Sequence, residues 1–134
     1  MTRKKQDTMT KVTDKRLGVR VDIVARKGAD FHRRFHCQYY SGTTAVDMDF
    51  SAFTGATMQI RRKPNSPVTE LAFNTVDSSI VFGVDGRFDL KLSDADMDKI
   101  RAGEYDYDMY LSNSTYAKRD FMYGVFTITD KITT

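Results

Sequence analysis

Hydrophobic and polar positions alternate with a period of two along most of the chain, the signature of half-buried β-strands. Val19, Val21 and Ile23 alternate with Arg20 and Asp22. Phe31, Phe35, Cys37 and Tyr39 share one parity, broken by Arg33, while His32, Arg34, His36 and Gln38 take the other. Met58 and Ile60 alternate with Gln59 and Arg61. Beyond an expected Pro64-Asn65-Ser66-Pro67 turn, Leu71 and Phe73 alternate with Glu70, Ala72 and Asn74. The clearest run is 104–111, where Tyr105, Tyr107, Met109 and Leu111 face one way and Glu104, Asp106 and Asp108 the other. A last strand is predicted through Phe121–Ile128. Turn signals recur at Lys27-Gly28, Ser41-Gly42, Asp85-Gly86 and Asn113-Ser114. Both prolines sit in one turn, so no strand loses a ladder donor. The pattern predicts about seven or eight short strands in an all-β sandwich.

Parity also selects one hairpin. A two-residue Asp85-Gly86 turn would set the apolar face of one strand against the charged face of the next. A three-residue loop, Val84-Asp85-Gly86, instead places Phe82 opposite Phe88 and Ile80 opposite Leu90. It suits a type I turn followed by Gly86 in the left-handed region. The one helical candidate is Ser93–Arg101, a connector of two or three turns at most. Ser93 can cap it, Asp94 and Asp96 suit the positive first turn, Met97 and Ile100 form an i, i+3 apolar pair, and Gly103 ends it.

The 134 residues are the length of one domain, and a composition 40% hydrophobic and 29% charged is that of a globular protein. No apolar run approaches the roughly 20 residues of a membrane helix. The polar N-terminus lacks the apolar core of a secretion signal, so cytoplasmic synthesis is expected. A lone Cys37 cannot form an internal disulfide.

Charge is unevenly spread. Residues 1–16 carry six basic side chains (Arg3, Lys4, Lys5, Lys11, Lys15 and Arg16) against Asp7 and Asp14, a net of +4. The other 118 residues then hold fifteen basic and sixteen acidic groups, a net of −1, within an overall +3. The chain therefore divides into a flexible basic N-terminal arm, 1–16, and a sandwich, 17–134. The six basic residues of the arm are the expected partner-binding residues, able to meet an acidic surface or nucleic acid.

Candidate chemistry is sparse. His32 and His36 have the spacing of a metal pair on a helix, but on a strand they stand roughly 13 Å apart at about 3.3 Å per residue. Asp94, Asp96 and Asp98 resemble half a calcium loop, yet Lys99 stands where glycine is required and Tyr105 where the bidentate acid belongs. Glu104, Asp106 and Asp108 could supply an acid/base couple, although alternation with tyrosines is what any solvated strand face produces. Cys37 falls on an apolar parity and reads as a buried small hydrophobe. Asn113-Ser114-Thr115 has the form of a glycosylation sequon and is expected to be a turn. No catalytic, metal or cofactor site is expected.

Six short segments, in order, resemble those of a known family. Arg26-Lys27-Gly28-Ala29-Asp30-Phe31 is similar to an R-x-G-x-D-F opening. Asp47-Met48-Asp49-Phe50-Ser51-Ala52-Phe53-Thr54-Gly55 is similar to a D-L-[ST]-x-[FYW]-T-G segment. Gln59-Ile60-Arg61-Arg62-Lys63-Pro64 resembles Q-I-R-x-x-P, and Gly86-Arg87-Phe88-Asp89-Leu90-Lys91-Leu92-Ser93 resembles G-x-[FI]-x-L-x-[LI]-S. Ala102-Gly103-Glu104-Tyr105-Asp106-Tyr107-Asp108 resembles A-G-x-Y-x-Y-D, and Gly124-Val125-Phe126-Thr127-Ile128-Thr129 a closing strand. The family is the small immunoglobulin-like virion domains of tailed bacteriophages, which serve as baseplate, tail or head accessory modules. The chain departs from it in ending after the last strand and in its basic arm.

The resemblance implies an immunoglobulin-like sandwich and a non-enzymatic structural protein of the virion, an auxiliary, decoration or adaptor component of head, neck or tail. Its implied partners are other virion proteins and copies of itself, with nucleic acid reached only through the arm and no membrane. The alternative is a carbohydrate- or protein-binding β-sandwich module using exposed tyrosines among Tyr39, Tyr40, Tyr110, Tyr116 and Tyr123. A third reading is a small hydrolase working at Glu104, Asp106 and Asp108.

Overall fold

A computed structural model describes residues 9–13, 18–63 and 66–130. In chain order the strands are β1 (Met9–Thr13), β2 (Val19–Arg20), β3 (Ile23–Arg26), β4 (Phe31–Ser41), β5 (Thr44–Asp47) and β6 (Gly55–Arg61). They continue as β7 (Leu71–Asn74), β8 (Ile80–Phe82), β9 (Arg87–Leu92), β10 (Gly103–Ser112) and β11 (Arg119–Thr129). One sheet runs β1-β4-β9-β8, with β5 also on β4; the other runs β2-β11-β10-β6-β7, with β3 also on β11. The protein is an all-β sandwich. The eleven strands among the described residues exceed the expected seven or eight because the long strand β4 also pairs the short strands β1 and β5, and because Val21 and Asp22 interrupt the first strand into β2 and β3.

Within the segment read as an arm, Met9–Thr13 forms β1 and runs parallel to β4, with Lys11 opposite His36. Arg3, Lys4, Lys5, Lys15 and Arg16 lie outside the described residues, as do Pro64 and Asn65 of the expected proline turn. The Ser66 amide donates to Lys63 O (3.0 Å) beside that turn.

The period-two face forms the core. Phe35, Met58, Ile60, Phe73, Phe88, Leu90 and Phe126 are sealed from solvent, as are Tyr105, Tyr107 and Met109 of β10. Each such large apolar side chain contributes roughly 1.5–3 kcal/mol of burial. Phe35 and Phe88, cross-strand partners on β4 and β9, stack at 4.7 Å. Phe31 meets Phe73 and Phe126 of the opposite sheet edge-on, at 6.2 and 6.0 Å. A 3-10 turn at Phe50–Ala52 closes one end. Asp49 caps it by accepting from the Ser51 amide (3.0 Å), and Phe50 inserts between Phe82 (5.1 Å) and Phe121 (5.8 Å). A bulge beside Met109 and Tyr110 leaves Phe121 without a cross-strand partner. That extra residue lets Phe121 and Met122 both point inward.

The hairpin before β9 has the register that parity requires, Ile80 opposite Leu90 and Phe82 opposite Phe88. Its turn is not type I, however. Asp85 (φ 56°) and Gly86 (φ 75°) both have positive φ, the sign pattern of a type I′ turn, and the Arg87 amide closes it on Val84 O (3.2 Å). A side chain at residue 86 would collide with the Cys37 carbonyl, so the loop packs directly on β4.

The helical connector is one turn, α1 (Asp94–Met97). Ser93 caps it by accepting from the Asp96 amide (3.1 Å), and Met97 and Ile100 are buried beneath it. Past Met97 the Lys99 and Ile100 amides bond to carbonyls three residues back, which tightens the chain and ends the helix early. Tyr105, entering β10, then donates its hydroxyl back to Arg101 O at 2.6 Å. No helix among the described residues is long and apolar enough to cross a membrane.

Candidate functional site

The outer face of the β2-β11-β10-β6-β7 sheet carries the polar parity of its central strands. Asp106 lies between Arg61 and Val125, and Asp108 between Gln59 and Tyr123. Arg20 approaches from β2, whose neighbour on β11 is Tyr123. These side chains border a hollow of about 330 Å3 with backbone from Gly124 at its base. Gly124 is required there. A Cβ on it would strike the Val21 carbonyl and the Asp22 carboxylate, because the break between β2 and β3 presses against β11 at this point. The same break turns Asp22 Oδ1 onto the Val125 amide (3.0 Å). That bond, with help from Arg20, holds the Asp22 carboxyl below the usual carboxylate range.

Arg61 Nη1 reaches Asp108 Oδ1 at 3.4 Å, and Nη2 donates to Gln59 Oε1. Arg20 Nε pairs with Asp22 Oδ1 at 3.3 Å. The Asp106 carboxylate, half-buried between them, has no hydrogen-bond or ion-pair partner among the described residues. Tyr123 leaves 46% of its surface exposed beside the hollow. The set therefore offers an aromatic face, guanidinium donors and carboxylate acceptors, which is the equipment for binding.

The other candidate groups are dispersed. His32 Nε2 lies 3.1 Å from Asp89 Oδ2, and His36 Nε2 lies 2.7 Å from Asp47 Oδ1, so the two rings serve different carboxylates. Asp96 pairs with Lys99 (3.1 Å) at the start of α1. Glu104 is exposed and does not border the hollow that Asp106 and Asp108 share. Cys37 is buried, and desolvation pushes its thiol up to about 12, far from a reactive thiolate. Asn113 is a turn residue. Its Oδ1 accepts from the Thr115 and Tyr116 amides (2.9 and 2.7 Å), and its Nδ2 donates to Ala52 O (3.0 Å).

The tyrosines do not converge on one platform. Tyr39 and Tyr40 are on β4 in the opposite sheet, whereas Tyr110 lies under Lys118 and Tyr116 under Arg119, each at 4.7 Å. Of the five, Tyr123 borders the hollow. The sequence places Asp106 and Asp108 on one strand face and Tyr123 apart from them, but does not reveal Arg20, Arg61 and Gly124, which strand pairing brings to the same place from 103, 45 and 17 positions away.

A larger depression, about 560 Å3, lies over α1 and the loop before β8. Its carboxylates are engaged within the fold: Asp30 accepts from the Asp94 amide (2.8 Å), Asp77 from Ser79 N (2.9 Å) and Oγ (2.6 Å), and Asp96 from Lys99 (3.1 Å). It is a structural corner.

No family model matches the chain, and no curated protein matches it. Among solved structures it is similar to the "N-terminal domain of phage TP901-1 ORF48", at 9% sequence identity and a TM-score of 0.45, with 91% of this chain and 98% of that one covered.

Proposed function

We propose that this protein is a non-enzymatic structural component of a tailed-phage virion, an auxiliary or adaptor domain that docks on other virion proteins through its sandwich and its basic N-terminal segment. The observation that carries the reading is where the residues behind the sequence resemblance fall. Asp30 ties the β3–β4 turn to α1, Asp49 caps the turn that inserts Phe50, and Ser93 caps α1. Ile60, Phe88, Leu90 and Phe126 are core, and Tyr105 locks the entry to β10. The resemblance thus rests on residues that build the sandwich.

Two features support the immunoglobulin-like form of that sandwich. The orders β4-β9-β8 and β11-β10-β6-β7 correspond to B-E-D and G-F-C-C′, while β1 differs from strand A in running parallel to β4. The Tyr105 hydroxyl bonded to Arg101 O, at the corner between the E-like and F-like strands, has the form of a tyrosine corner. Attachment by strand addition suits β1, which joins the edge of β4 by parallel pairing.

The test is retention on assembled particles. Tagged full-length protein is expected to co-sediment with virions through a density gradient, and a variant lacking residues 1–16 to be retained more weakly. Full-length protein found wholly in the soluble fraction of a lysate rich in particles would overturn the reading.

A further inference from the structure

We propose that the hollow between Tyr123, Asp106 and Arg61 is a carbohydrate-binding site that takes a short stretch of a neutral glycan. Its volume, about 330 Å3, is at the small end of the roughly 300–1,000 Å3 typical of ligand sites. That size suits a short run of sugar rings lying along the sheet. The half-exposed Tyr123 ring offers an apolar face to the C–H side of a pyranose.

The polar groups choose the ligand's charge. Arg20 and Arg61 oppose Asp106 and Asp108, so a phosphate or sulfate would meet two carboxylates and an amine two guanidiniums. A sugar hydroxyl can satisfy both kinds of group, donating to one and accepting from the other. Asp106 is the hollow's uncommitted acceptor, open to water or to a ligand. Its carboxylate is half-buried at the hollow yet has no partner among the described residues, even though Arg61 is its direct neighbour on β6. Arg61 is turned aside to Asp108 and Gln59 and still has N–H donors to spare. The acceptor and the donor are therefore both preset and not spent on each other.

The experiment is an amide chemical-shift titration of the full chain with maltohexaose, cellohexaose and chitohexaose in turn. At least one should shift the Asp106, Tyr123, Gly124 and Val125 amides saturably. Tyr123→Ala and Asp106→Asn should each weaken that response by about tenfold or more, while Tyr116→Ala, an exposed tyrosine away from the hollow, should leave it intact. An unchanged spectrum elsewhere certifies that each variant is folded. The proposal is overturned if none of the three glycans moves these amides, if Tyr123→Ala binds as before, or if inorganic sulfate or free lysine binds more tightly than any glycan. Because the isolated protein is measured, the result is independent of whether virions retain it.

Discussion

The Tyr107 hydroxyl donates to the Val21 carbonyl at 2.5 Å, joining residues 86 positions apart. Tyr107 faces Gly124 across β10 and β11, and Val21 lies on the far side of β11, so the bond passes over a residue with no side chain to block it. It satisfies a carbonyl at the break between β2 and β3, where ladder pairing lapses. Tyr107→Phe keeps the ring and its edge contact with Phe126 (6.3 Å) but strands that carbonyl. The expected cost is about 1–3 kcal/mol by chemical denaturation. Gly124→Ala should cost more, since its methyl group would overlap the Val21 carbonyl. Equal stability of wild type and Tyr107→Phe would show that the bond contributes nothing.

Phe50 is expected to behave as a core residue although it sits in a loop. It fills the end of the sandwich against Phe82, Phe88 and Phe121, and it is 2% exposed. Phe50→Ala should cost about 3–5 kcal/mol, in the range of Met109→Ala at about 2–5. Asp106→Asn, on the outer face, should stay within about 0.5 kcal/mol. A Phe50→Ala cost as small as that of Asp106→Asn would mean that the end of the sandwich is closed by something else.

What could be read from the sequence follows from the range of each interaction. Tyr105, Tyr107 and Met109 were assigned inward by parity alone, and the Phe82–Phe88 register by matching two faces across a turn; both are local and both agree with the structure. The turn type is not legible because the expected turn placed only Gly86 in the left-handed region, whereas Asp85 adopts positive φ as well. β1 was missed for a similar reason. Met9–Thr13 pairs in parallel with a strand about 25 residues away, and parallel pairing leaves no turn signal between its partners. Met48, Phe50 and Ala52 alternate with Asp47, Asp49 and Ser51, but Phe50 enters a 3-10 turn and not a strand, so parity does not show that its ring closes the end of the sandwich. The hollow needs Arg20, Arg61 and Gly124 from three strands, which no single stretch of chain displays.

Acid should destabilise the protein in part through Asp89. Partial burial opposes its ionisation, but hydrogen bonds from Arg34 (3.0 Å) and His32 (3.1 Å) outweigh that and hold its carboxyl below the ordinary value of 3.8. A carboxyl lowered on folding stabilises fully above its unfolded pKa, and that stabilisation is lost as pH falls through the folded value. Unfolding free energy should therefore decline between about pH 5 and pH 2, with a shallower slope in Asp89→Asn. Asp47, lowered by Gln38 and His36, leaves a residual slope in that variant. Identical slopes would remove Asp89 from the account.

Cys37 should report opening of the sandwich. Its thiol is raised by burial from an ordinary 9.0 to about 12. A group raised on folding stabilises below its unfolded pKa and loses that contribution as pH rises toward the folded one. Stability should thus fall between about pH 9 and pH 12, less so in Cys37→Ala. At neutral pH, alkylation by iodoacetamide should proceed at the rate set by opening and accelerate with denaturant. Prompt alkylation in the native protein would contradict its burial.

Attachment to a virion, as proposed, should divide by salt. The 118 residues beyond the basic segment carry a net −1 and cannot dock by bulk charge, so their contacts should be apolar, hydrogen-bonded or made through strand edges. Residues 1–16 carry +4, and their contacts with an acidic capsid surface or packaged DNA should be screened away as the Debye length falls to about 3 Å near 1 M salt. Lys11 sits within β1, whose pairing uses backbone groups, so part of this segment should resist salt even as its charged remainder lets go. The measurement is trypsin cleavage on intact particles at low and molar salt, with the pelleted fraction assayed alongside. Cleavage at Arg3, Lys4 and Lys5 should rise with salt while the sandwich stays in the pellet. If the whole protein washes off instead, its docking is electrostatic and the division between basic segment and sandwich is wrong.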